Sequence, residues 1–488
     1  MIGRADRSFL IPEAPVPKIL RASVVGTIIR HDVRRAAVSL RFWAPALLLI
    51  VLMGLAAVTA AARHRFESAE RAAVLEAYEH QVSGVPLDRA VEILHPALKT
   101  PWRLAPVVDG GQSVTPDAYL QAPSALIATE FRSTRGDSRL LPRAEPIDWM
   151  FAIRIVLSIG AFLLCHDAIC GERRSERLRL LLSCPIPRWK ILAGKFLAAW
   201  ACLVLPLVTG AALSLALATG PGGLRLTSTD LVKAGLVVLL GLWAAAFFIL
   251  AALLVSSLTR DPSTSLGVLA LLWITSVVVI PALSLLLAHG LRPVPAEGEI
   301  AQRTAEASAR IDRELGGLQG RWRRPQWAEA DGYAWEKISA RAENQRAALR
   351  DRIRREELDR KLEQARLADD FAAASPLSLV QQLAELLTGA GRWRERAFLD
   401  QAAAFHSQLA ERVRALDAAD PASPHLLFFR GYMSHRPIQR DNLPRFAFHE
   451  RSVREGFTAA GPALLTFALE TLGLLGATLF VFYRSEPG

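Results

Sequence analysis

The densest set of chemistry-bearing residues lies in the segment 166–195. It contains Asp167, Gly171, Glu172, an arginine-rich turn, a leucine patch at Leu178, Leu181 and Leu182, a break at Pro185 and Pro187, then Arg188 and a closing Gly194-Lys195. The segment reads as a short charged helix start followed by an apolar patch between two long apolar runs. An exposed patch of this kind needs a cover, either lipid, the chain's own helices or a soluble partner. Nucleotide chemistry is not built into it. A phosphate-cradling loop needs Gly-x-x-x-x-Gly-Lys-Ser/Thr, so that backbone amides hold phosphate and the hydroxyl holds magnesium. Here Trp189 stands in place of the first glycine and Phe196 in place of the hydroxyl residue. The four cysteines, Cys165, Cys170, Cys184 and Cys202, match no zinc spacing and give neither large polar segment a disulfide framework.

Two further residues are conspicuous because they are charges within apolar runs, Arg154 and Glu470. A charge in hydrocarbon costs several kcal/mol unless paired or hydrated, and so marks a functional or structural contact. Each lies seven or eight residues into its run, about 10 to 12 Å along a helix, so the two are expected at similar depth. An Arg154 to Glu470 pair is then geometrically allowed, and a salt bridge fixing two helices is favoured over substrate contact.

The elements that must position these residues follow from hydropathy. The chain has 488 residues, of which 51% are hydrophobic, and its mean hydropathy is +0.24. A soluble enzyme is excluded by that balance, whereas the 22% of charged residues shows that the apolar excess is gathered in blocks. Six runs are long enough to cross about 30 Å of hydrocarbon as helices: 42–62, 147–165, 196–219, 231–258, 266–289 and 462–483. The first run ends near a small-residue site, Val58-Thr59-Ala60, but it is long for a signal peptide and follows a long basic leader, so an uncleaved anchor is expected.

Charge then orients the spans. Residues 1–41 carry net +5 and residues 166–195 net +4, which together account for most of the chain's +11. The bias of Lys and Arg toward the cytoplasmic flanks predicts that both segments, and both termini, are cytoplasmic. It also removes the main support for a nucleic-acid partner, since the excess is explained by topology. The expected fold is an α-helical integral membrane protein of six transmembrane helices with two extracytoplasmic insertions. The first insertion, 63–146, should continue the first span as a helix and then turn irregular or short-stranded under its many prolines. The second, 290–461, reads as a mainly helical domain packed as a hairpin. In residues 18–40, arginines alternate with apolar residues, as in an amphipathic helix that lies at the lipid surface or equally braces a protein partner.

With these features in place, the chain resembles the permease subunits of type-2 ABC exporters. Asp167, Gly171, Glu172, Leu178, Leu181, Leu182, Ser183, Pro185, Arg188, Gly194 and Lys195 match the family's loop pattern in order, with Glu176-Arg177 where the family usually has Gly-Thr. The likeness continues through Ser256, Ser257, Arg260, Thr264, Trp273 and Pro281. It reaches Ser375-Pro376-Leu377 and Leu387-Thr388-Gly389, similar to a subfamily with large extracytoplasmic insertions and an uncharacterised domain. The resemblance implies that 166–195 holds a coupling helix seated in a separate ATPase subunit. That partner would bind the ATP, leaving no cofactor on this chain. A second permease, identical or paralogous, would complete the unit in the inner membrane, and the outer domains would gate exit or recruit an extracytoplasmic partner. An ATPase-linked assembly or maturation factor acting on an extracytoplasmic client is the alternative reading.

Overall fold

The computed structural model describes residues 24–110, 118–120, 146–183, 186–322, 334–429 and 431–484. Six helices in it are long and apolar enough to cross a membrane, and the protein is an all-α integral membrane protein. In chain order, α1 is Val24–Ala37 and α2, Leu40–Val82, is the first span. The second span, α3, runs Trp149–Arg174 and is followed by the short α4, Arg177–Ser183. The third to fifth spans are α5 (Arg188–Ala218), α6 (Ser228–Leu258) and α7 (Pro262–Leu291). The second insertion contributes α8 (Glu297–Trp322), α9 (Ala334–Ala372), α10 (Pro376–Thr388) and α11 (Gly391–Ala418) before the last span, α12 (Val453–Arg484).

The first span does not stop at the membrane. Its 43 residues form one helix of about 64 Å at 1.5 Å per residue, roughly twice the hydrocarbon thickness. The projecting half packs with the two insertions into one body. A cluster of Val82, Leu87, Val91, Leu409, Val413, Met433 and Ile438 joins the end of α2 to α11. A second cluster sets Phe398, Phe405 and Phe448 against Ala97 and Leu120, residues of a two-stranded antiparallel pair, β1 (His95–Ala97) and β2 (Ala118–Leu120). Charges are used as glue in the same region: Lys99 Nζ lies 2.6 Å from Glu395 Oε2, with both side chains largely buried.

The second insertion is not wholly outside the bundle, which departs from the sequence expectation for 290–461. Gln364 of α9 donates to Arg292 O at the end of α7, and Ser375 Oγ donates to Ser276 O at 2.8 Å. Ser276 lies midway along α7, so the end of α9 descends antiparallel to that span and α10 climbs back. Ser375 caps α10 and Gly389, with φ 78°, ends it in the left-handed conformation that glycine tolerates without strain. The re-entrant helix buries Leu377, Val380, Leu383, Ala384 and Leu387 in the main core, against α6, α12 and the middle of α7.

Two spans are locally underwound into π-turns, Ala152–Leu157 in α3 and Thr275–Val279 in α7. Such turns recur at functional sites because they rotate side chains out of the regular helical phase. Here both face α10.

Candidate functional site

The segment 166–195 is held in place by charge pairs that the sequence motif supplies and by others it does not advertise. Lys195 Nζ meets Glu172 Oε1 at 2.5 Å, with Lys195 only 6% exposed, and Asp32 of α1 stands 3.9 Å from the same ammonium. Arg41, at the start of α2, donates to Asp167 Oδ2 at 2.9 Å. Gly171 fits because a Cβ there would press on the Asp167 side chain at 3.3 Å, and Gly194 because one would meet Ile28 of α1 at 2.9 Å. α1 thus packs along α5 and braces the segment, a role that the basic amphipathic pattern left open between lipid and protein. Residues 18–23 of that pattern lie outside the described residues.

Backbone contacts fix the other flank. The amides of Ile169 and Cys170 donate to Ser256 Oγ at 3.0 and 3.2 Å, and Arg173 donates to the carbonyls of Ser257 and Thr259. Arg188 reaches Tyr483 O at 2.6 Å, tying the end of the segment to the last turn of α12. The segment is therefore mechanically joined to α1, α2, α5, α6 and α12.

α4 divides its residues in a way that the leucine pattern did not reveal. Leu178 is buried in the main core at 1% exposure and Leu181 packs partly against it. Leu180 instead is 71% exposed, and it shares the outward face with Arg179 and Ser183. The side chain of Leu182 and the whole of Pro185 lie outside the described residues. The chain itself covers part of the expected patch, and the face left exposed carries Leu180 beside Arg179 and Ser183.

At the opposite side of the bundle core, the structure corrects the expected Arg154 to Glu470 pair. No ion pair joins these two described residues. Arg154 sits in the π-turn of α3 within electrostatic reach of Asp148 and of Glu385 on α10. Glu470 is half-buried, and its Oε2 has no hydrogen-bond partner. The reason is α10, which packs against both the α3 π-turn and α12 and places its own carboxylate near the arginine. α12 meanwhile turns Phe467, Thr471 and Thr478 toward α6, through contacts to Trp243 and Leu250 O, which leaves Glu470 on the flank. Around Arg154 the two π-turned spans are linked by Trp273 Nε1 of α7, which donates to Ser158 Oγ of α3 at 3.0 Å, while Ser158 Oγ donates within its own helix to Arg154 O.

Sequence reasoning missed Asp32, Arg41 and Glu385. The first two sit in flanks read only for net charge, and Glu385 lies in a helix read as part of an outer domain. A usable signal existed for α10: an apolar stretch of about 10 to 14 residues is too short to span and suits a re-entrant segment.

Six spanning helices joined by a buttressed basic loop, with a re-entrant helix at the other end, define a polytopic transport-type membrane protein. The chain belongs to the ABC-2 family of transporter proteins, whose family model matches residues 26–486. It is an ABC permease subunit, and membership implies an ABC ATPase as partner. No curated protein matches the chain.

Proposed function

We propose that this protein is the membrane subunit of an ATP-driven exporter in the inner membrane, with the basic loop and both termini cytoplasmic. Hydrolysis in the separate ATPase drives it through α4. The observation that carries this reading is the division of labour in that loop: Leu178 and the Glu172–Lys195 pair anchor it inward, while Leu180 and Arg179 face outward. A helix seated on the core by Leu178 and Leu181, exposed on its other face and flanked by residues bonded to five elements, can pass a push from a docked subunit into the spans.

A second permease completes the unit in this reading. The most apolar stretches of α7 and α12 are only 6% and 11% buried, against 67% and 61% for α3 and α6. Their free faces are available to lipid and to another copy or paralogue. The joined insertions then gate exit or hold an extracytoplasmic partner, and α10 lies between that body and the spans. Substrate would move outward or be extracted from the bilayer.

The test is ATP hydrolysis by the assembled complex in lipid nanodiscs, with wild type compared to Leu180→Asp. The reading expects the ATPase to detach and the permease to stay folded. An intact, equally active complex with Leu180→Asp would refute α4 as the coupling element.

A further inference from the structure

The boundary of the bundle at the insertion end carries a cationic cleft that the transport reading does not use. His64, Arg65 and Ser68 of α2, Arg103 of the first insertion, and Gly223 and Arg225 of the α5–α6 connection enclose an open cavity of about 390 Å³. Arg103 is partly neutralised by Asp230 at 3.7 Å. Among the described residues, Arg65 and Arg225 have no ion-pair or hydrogen-bond partner, and His64 Nδ1 is shielded from solvent without one. Guanidinium groups gathered without counter-ions repel one another unless an anion joins them.

The position of the cleft says which anion. The apolar run of α2 ends at Ala62, three residues before Arg65, and Leu55, Val58, Ala62 and Arg65 recur at helical spacing on one stripe. Leu55 and Val58 are 42% and 54% exposed, so the stripe faces lipid and ends in a free guanidinium at the hydrocarbon edge. Beside it, the half-exposed Leu217 of α5 lies against Gly54. Basic residues are concentrated at the other end of the bundle, so topology does not call for this cluster. A phosphodiester on an acyl-chain anchor fits both halves of the arrangement, since guanidinium groups bind phosphate oxygens in a bidentate fork.

We propose that this cleft binds the phosphate of an anionic phospholipid from the leaflet at the insertion end, with an acyl chain along Leu55, Val58 and Ala62. The lipid bridges α2 to the α5–α6 connection. The inference does not depend on the direction of transport or on the ATPase.

Native mass spectrometry of the full-length protein, released from nanodiscs of equal phosphatidylglycerol and phosphatidylcholine, tests it. Wild type should retain phosphatidylglycerol in preference to phosphatidylcholine. Arg65→Gln/Arg225→Gln should lose that preference by about tenfold, as expected for removing charge-assisted contacts. The surface control Arg355→Gln/Arg360→Gln, which removes the same charge from α9, should keep it. If the glutamine pair does not fold, Arg65→Lys/Arg225→Lys preserves the charge, and a weakened preference is still expected because the fork is lost. Equal retention by wild type and the site variant, or no preference in wild type, overturns the proposal. In phosphatidylcholine-only nanodiscs, tight uptake of millimolar inorganic phosphate in place of added phosphatidylglycerol overturns the lipid assignment in favour of a soluble anion.

Discussion

At the scale of single residues, the Glu172–Lys195 pair holds the loop by electrostatics that work only while both partners are present. The side chains are 15% and 6% exposed, and removing one member of a buried pair costs about 3 to 5 kcal/mol because the other charge is stranded. Lys195→Met is therefore expected to lower the melting temperature of the detergent-solubilised protein markedly, and the double variant Lys195→Met/Glu172→Gln to recover most of the loss. Equal stability of the single and double variants would show that the pair is not coupled. In the body formed by the two insertions, His95 is 1% exposed and shares a 2.5 Å hydrogen bond with the Tyr78 hydroxyl. Burial pushes its pKa down from 6.5 to about 4, so the folded protein holds the ring neutral. The unfolded chain binds that proton more readily. His95 therefore contributes stability in full above about pH 6.5, and this is lost as pH falls through about 4, a change of roughly 3 kcal/mol. Thermal melts across that range should show the decline in wild type and a flatter profile in His95→Gln. A parallel decline in both would assign the pH dependence elsewhere.

At the scale of elements, α4 and α10 matter most, and both show where a sequence stops being legible. The spans are readable because about 20 apolar residues in a row have few alternatives, and the projecting half of α2 follows from its helix-forming continuation. The facing of α4 is not readable. Glu176 adopts φ 56°, which resets the helical phase between α3 and α4, so counting from the preceding helix misassigns which leucines point outward. Glu385 was hidden for another reason: it approaches Arg154 only because α10 folds back into the bundle, a contact across 231 positions of chain. Two outcomes follow. Leu178→Asp should destabilise the permease itself, by about 2 kcal/mol or more for a charge in a packed core. Leu180→Asp should leave its stability within about 0.5 kcal/mol of wild type, as for an exposed site. Likewise Glu470→Gln should fold normally, whereas Arg154→Met should reduce the yield of folded protein because Asp148 and Glu385 lose their nearby cation. The opposite order in either comparison, read by size-exclusion profile and thermal melt, would contradict the packing described here.

At the scale of the whole molecule, the protein is a bundle of spans gripped at one end by the basic loop and α1, and continuous at the other with the body formed by both insertions. The unbroken α2 runs from the loop end into that body, and the re-entrant α9–α10 hairpin reaches from the body to the middle of α7. If the basic end is cytoplasmic, a membrane-impermeant maleimide should label Ser83→Cys from outside intact spheroplasts, and Ser175→Cys only after lysis. The reverse pattern would invert the topology.

The most direct test of the central claim is affinity purification of the permease from its native membrane in mild detergent, with ATP hydrolysis and subunit composition measured together for wild type, Leu180→Asp and Glu470→Gln. Wild type and Glu470→Gln should each carry an ABC ATPase subunit and hydrolyse ATP, and Leu180→Asp should lose both while remaining folded. Failure of any ATPase subunit to accompany wild type, or its undiminished presence with Leu180→Asp, would contradict the account.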